Sequence, residues 1–245
     1  MDYPFDAVKE CNAVIQWIKD KFEPFSKRSV AVVGISGGKD STVVAALCAK
    51  ALGKDRVFGV LMPNGEQSDI DYSYEVCKHL GIKYKVVNIK NTVNSLIDSC
   101  SMTETTQSMI NLPPRIRMST LYYIAQCVCG FVMNTCNASE DYVGYSTKYG
   151  DNAGECAPLK EFTSEEVIEL GRVLEIPEKF LVKPPSDGLC GKTDEDNLGF
   201  TYAVLNKYIR TGVIDDQKTK ETIDHLHTIN LHKELPIARF ERYMK

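Results

Sequence analysis

Apolar residues along the chain change their spacing several times, and each change predicts an element. Between Phe5 and Phe22, Val8, Cys11, Val14, Ile15 and Ile18 recur every three or four residues, on one face of a helix that ends before Pro24. Ser29 to Ile35 is a short continuous run rich in β-branched residues, the pattern of a parallel strand covered on both faces. SGGKDS follows, and Thr42 to Leu52 reads as a helix stopped by Gly53. Arg56–Met62 predicts a second strand, Asp69–Leu80 a helix closed by Gly81, and Tyr84–Ile89 a third strand. Met118, Leu121, Tyr122, Ile124, Ala125 and Val128 then give a helical period over Arg115–Gly130, and Phe131–Cys136 a fourth strand. After a loop-rich stretch through Pro158, helices are expected over Ser164–Leu174 and Glu195–Ile209, with Pro177, Pro184, Pro185 and Gly188 marking irregular chain between them. The C-terminal part shows no clear period.

Strands alternating with amphipathic helices require an α/β fold: a parallel sheet with helices on both faces and ligands at the carboxyl ends of the strands. A chain of 245 residues, 43% hydrophobic and 25% charged, can bury such a core, and no linker, repeat or low-complexity tract marks a boundary, so one domain over 1–245 is expected. A net charge of −4 argues against broad attachment to nucleic acid. The start, MDYPFDAVKE, is acidic where a secretory signal would be basic, and no segment reaches membrane-spanning length. A cytoplasmic protein is expected. Nine cysteines are scattered without disulfide-like pairing, and Cys127 and Cys129 lie too close for the usual zinc or dithiol spacing, so packed, reduced thiols are expected.

The chemistry concentrates in Gly34 to Ser41, GISGGKDS, at the end of the first strand. Gly37 and Gly38 let the backbone approach an anion, free amides at the helix start point at it, Ser36 and Ser41 add hydroxyls, and Lys39 adds charge. The plainer alternative is a Gly-Gly turn with an aspartate capping a helix. The spacing is not that of a Walker A loop. SGGKDS after VAVVGI resembles the pyrophosphate-binding loop of the ATP pyrophosphatase superfamily, whose members split ATP into AMP and pyrophosphate while activating a substrate oxygen. That loop leaves the acceptor open. Further blocks, NLPPRIRM at Asn111–Met118, NTCNASE at Asn134–Glu140, GYSTKYGD at Gly144–Asp151, KPPSDGL at Lys183–Leu189, TDEDNLG at Thr193–Gly199 and His232-Lys233, resemble in order those of ammonia-dependent NAD synthetase.

The resemblance implies an adenine nucleotide alpha hydrolase-like fold, a single synthetase domain without a glutaminase, and a homodimer. It implies a ligase that adenylates deamido-NAD with ATP and lets ammonia displace AMP to form NAD. ATP would be held by Gly34, Ile35, Ser36, Gly37, Gly38, Lys39, Asp40, Ser41, Thr135 and Ser186, and Mg²⁺ by Asp40 and Glu140. Deamido-NAD would meet Arg115, Lys148, Glu155, His232 and Lys233. As bare residues, Asp40 is also a possible helix cap, Glu140 a solvated loop residue, Thr135 and Ser186 turn formers, and Arg115 and His232-Lys233 solvent-facing cations.

The sequence departs from the family pattern at several points. Ser164 stands where a lysine usually reaches ATP, leaving Lys160 as the candidate for that charge, and Asn134, Asp151-Asn152 and Glu155 replace the more usual Gly, Asp-Gly and Asp. Two other classes compete. A tRNA-modifying enzyme shares the loop but commonly carries a CxxC pair, which is absent, and a nucleotide-sensing module needs no paired acids around Mg²⁺.

Overall fold

A computed structural model describes residues 3–182 and 194–240. Its centre is a four-stranded, wholly parallel sheet: β1 (Val30–Gly34), β2 (Val57–Leu61), β3 (Lys83–Val86) and β4 (Gly130–Met133), in spatial order β3-β2-β1-β4. The apolar run of β1 is explained by its place between two partners. Ala31 and Val33 enter one core while Val32 enters the other, so neither face tolerates a polar residue. β3, at an edge, is exposed along its whole length and carries Lys83 and Lys85, charges that discourage pairing with another strand.

The helices divide between the faces. α1 (Ala7–Phe22), α2 (Lys39–Leu52), α3 (Ile70–Leu80), α7 (Ser164–Val173) and α8 (Glu178–Leu181) pack on one face through Ile18, Leu47, Cys77, Leu170 and Phe180. On the other face α5 (Thr106–Cys127) sets Met118, Leu121, Ile124 and Ala125 against Val32, Val60 and Val132. The chain thus steps outward from β1 to β2 to β3, then returns by way of α4 (Lys90–Cys100) and α5 to β4 on the other side of β1. This reversal opens a crevice at the carboxyl ends of β1 and β4, the usual ligand position in such sheets. A smaller apolar cluster joins α6 (Ala138–Val143), α10 (Tyr202–Thr211) and α11 (Gln217–Asn230) through Val143, Leu205 and Ile223, with Phe200 between α9 (Asp194–Leu198) and α10. No described helix is long and apolar enough to cross a membrane.

Several expected boundaries move. α5 begins at Thr106, not Arg115, and runs through Pro113 and Pro114, its start fixed by a capping box between Thr105 and Ser108. The helix expected over 195–209 is two, α9 and α10, separated at Gly199 with φ +79° and restarted by the Thr201 cap. α4 and α11 carry one buried residue each, Val93 and Ile223, which is too little apolar signal for periodicity to reveal them.

Candidate active site

The turn from β1 into α2 carries the glycine loop. Gly37 has φ +80°, and a Cβ there would lie 2.8 Å from Tyr72 Cβ and 2.9 Å from the Ser73 amide nitrogen, so close packing of α3 and the backbone angle both demand glycine. Gly38 occupies the cap position of α2 and no side chain caps it, leaving the amides of the first turn directed at the crevice. Ser36 and Ser41 are joined hydroxyl to hydroxyl at 3.1 Å, and Ser41 and Thr42 both donate to the Gly38 carbonyl. Asp40 does not cap. Its Oδ2 accepts from Lys39 Nζ at 2.8 Å and its Oδ1 from Asn137 Nδ2 at 3.0 Å.

Asn137 brings in the second wall. Beyond β4 the chain turns through Thr135, partly exposed, into α6, whose start is a capping box between Asn137 and Glu140. That Asn-x-x-Glu spacing is a sequence signal for the helix, unused by periodicity because α6 is only six residues long. Burial, and next the charge of Asp40, push the Glu140 carboxyl well above its usual range, while Lys39 pulls it down. Two carboxylates sharing a site with one lysine suit a divalent cation that completes its shell with phosphate oxygens and water, the habit of Mg²⁺. Among the described residues no group of three or more His, Cys, Asp or Glu could hold a metal unaided.

Behind α6, Ser139 Oγ accepts the Ser164 amide at 2.9 Å and donates to Asn206 at 2.6 Å, and Asn206 Nδ2 donates to Ser164 Oγ at 3.1 Å. Ser164 is therefore a buried structural hydroxyl joining α6, α7 and α10. Lys160 is held between Asp141 at 2.9 Å and Glu234 at 2.5 Å. It braces the site and does not reach toward the glycine loop.

Of the cations expected at the acceptor, Lys148 and Lys233 line a cleft of about 360 Å³ together with Tyr122, Tyr149, Asn152 and Leu235 among others, and Arg115 and His232 lie outside that lining. Lys148 Nζ donates to the His232 carbonyl, Arg115 Nε to the Lys148 carbonyl at 3.3 Å, and Lys233 Nζ to the Gly144 and Ser146 carbonyls at 2.6 and 3.0 Å. His232 itself turns its Nδ1 to the Ile229 carbonyl. Glu155 stands apart from these four: the chain at 154–156 lies along the open edge of β4, and Glu155 accepts the Val132 amide at 2.5 Å. Its surroundings are Lys21, Phe22, Phe25 and Phe131. Ser186 lies outside the described residues.

Asn134 accounts for one departure from the family pattern. Its Nδ2 donates to the Asp151 and Ala153 carbonyls while its Oδ1 accepts the Cys136 amide, so the side chain moulds the loop that carries Asp151. Gly154, φ +157°, passes so near that a Cβ would meet Asn134 Cβ at 2.9 Å. Arg117 is half-buried with Nε on the Met62 carbonyl at 3.0 Å, just past β2. Desolvation lowers its affinity for the proton while Asp151 raises it.

A doubly wound parallel sheet with a glycine loop at its switch point and paired carboxylates beside it defines an α/β nucleotide-binding protein of the pyrophosphate-loop type. The family model described as NAD synthase matches residues 10–242, and the chain belongs to the NAD synthase family. It is 37% identical over 238 residues to the NH(3)-dependent NAD(+) synthetase of Pyrococcus furiosus, covering 97% of this chain and 89% of that protein. Among solved structures, NMN synthetase from Francisella tularensis is 30% identical with a TM-score of 0.89, covering 98% of this chain and all of that one. NH3-dependent NAD synthetase from Campylobacter jejuni is 28% identical with a TM-score of 0.80, over 97% of this chain and all of that one.

Proposed function

We propose that the protein amidates the nicotinate carboxylate of deamido-NAD with free ammonia, at the expense of ATP cleaved to AMP and pyrophosphate. The observation that carries this reading is the meeting of the 36–41 loop with Glu140 at the crevice between β1 and β4, beside a cleft furnished with Lys148 and Lys233. The α2 amides and Lys39 bind and orient the ATP phosphates, and Thr135 and Ser186 contribute hydroxyls. Asp40 and Glu140 would hold Mg²⁺, which when bound would supply neutralisation of the charge on the pyrophosphate. Arg115, Lys148, His232 and Lys233 orient the acceptor, with its carboxylate aimed at the α-phosphate, so that attack yields an acyl adenylate and ammonia then displaces AMP. Glu155 acts from the β4 edge.

The same reading includes a cytoplasmic homodimer, for which Met109, Ile110 and Tyr123, exposed on α5, supply apolar surface. A second reading shortens the acceptor to nicotinate mononucleotide, favoured by the TM-score of 0.89 to an NMN synthetase. Purified protein supplied with ATP, Mg²⁺ and ammonium should release pyrophosphate and form NAD from deamido-NAD. Turnover of the mononucleotide in preference to deamido-NAD would establish the shorter acceptor, and turnover of neither would overturn both readings. Glutamine in place of ammonium should give no product.

A further inference from the structure

Asp40 and Glu140 come from helices far apart in the chain, α2 after β1 and α6 after β4, yet one fully buried side chain, that of Asn137, bonds to both residues. Asn137 Oδ1 accepts the amides of Ser139 at 3.0 Å and Glu140 at 3.2 Å, which fixes the plane of its carboxamide. Its Nδ2, set by that plane, donates to Asp40 Oδ1 at 3.0 Å. Its backbone amide faces Glu140 Oε2 at 3.4 Å. The opposite amide orientation would set the carbonyl oxygen against the Asp40 carboxylate and the NH₂ against two N–H donors, so the network allows only this one.

We propose that Asn137 is a positioning residue for the metal pair, holding the Asp40 and Glu140 carboxylates at a fixed separation before the cation arrives. The inference rests on the reading of Asp40 and Glu140 as the Mg²⁺ ligands. Capping alone does not account for asparagine, because Asn, Asp and Ser cap helices about equally well. What distinguishes Asn is that it accepts the cap bonds through oxygen while donating to a carboxylate through nitrogen. Asp would face Asp40 with a second acceptor, and Ser is too short to span the gap. Two carboxylates drawn together without a cation repel each other, and the Asp40 charge already acts on Glu140. A neutral donor tethering one of them to the helix that carries the other meets part of that cost in advance, which is the general benefit of preorganisation. The frame behind is rigid: Ser139 is anchored to Ser164 and Asn206.

The test measures metal binding apart from turnover. Mn²⁺ is titrated into the whole protein with ATP present and free Mn²⁺ is followed by electron paramagnetic resonance, for wild type, Asn137→Ser, Asp40→Asn and Glu140→Gln. Asn137→Ser keeps a helix cap and loses the tether, and its Mn²⁺ affinity should fall about tenfold, the usual worth of a hydrogen bond to a charged group. The Mg²⁺ concentration for half-maximal rate should rise in parallel. If that variant melts without a cooperative transition, Asn137→Thr carries the same expectation. A folded Asn137→Ser protein that binds Mn²⁺ within about twofold of wild type, while Asp40→Asn and Glu140→Gln lose it, overturns the positioning role and leaves the metal ligands standing. Retention of Mn²⁺ by both carboxylate variants overturns the ligand assignment itself, and the tether with it.

Discussion

Asp40 illustrates how much a single side chain can be underdetermined by its neighbours in sequence. In the second position of a helix it resembles a favourable partner for the helix dipole, but its oxygens are spent on Lys39 and Asn137 and not on the cap. If it holds Mg²⁺, Asp40→Asn should lower the rate of pyrophosphate release by about a hundredfold or more and raise the Mg²⁺ requirement, the scale on which electrostatic groups at phosphoryl centres act. An unchanged Mg²⁺ dependence would remove it from the metal site. Lys148 bridges the cleft by donating to the His232 carbonyl, so Lys148→Ala should raise KM for the acceptor about tenfold with little change in KM for ATP. Initial-rate kinetics with each substrate varied in turn separate the two.

Between elements, one tie that sequence patterns do not reveal is the buried triangle of Ser139, Ser164 and Asn206. Asn206→Leu should cost about 1–3 kcal/mol in urea unfolding, because it removes one hydrogen-bond partner from each of two buried hydroxyls. The glycine loop, the β–α alternation and the two-sided apolar strands were legible in the sequence, since local backbone and burial requirements are written in consecutive residues. The strand order, and hence the approach of residue 137 to residue 40, was not, because nothing local records a reversal of direction across the sheet. Ser164 shows the same limit from the other side. Set against the family pattern it read as a missing lysine, and in the fold it is a buried hydroxyl whose partners lie on two other helices.

Among the described residues the cysteines divide by exposure, with Cys156 half-buried between the extremes. Cys100, Cys127 and Cys129 are exposed, while Cys11, Cys48, Cys77 and Cys136 are buried and held above the ordinary thiol range by desolvation, Cys77 up to about 11. Burial shields these latter thiols and keeps their protons on, so iodoacetamide on native protein at about pH 8, read by peptide mass, should label Cys100, Cys127 and Cys129 and spare Cys11, Cys48, Cys77 and Cys136. The unfolded chain gives up a thiol proton near pH 9 and the folded chain holds the Cys77 proton to about 11. The native state therefore binds more protons in that interval, and stability should decline as pH rises through it. Thermal melts across the same range check the sign.

The contacts of Lys148, Asn152 and Lys160 with residues 232–234 have a consequence for the order of synthesis. A ribosome delivers residues 36–41 well before residues 232–234, which brace the cleft of Lys148 and Lys233. A nascent chain thus carries the glycine loop before residues 232–234 exist to brace the neighbouring cleft.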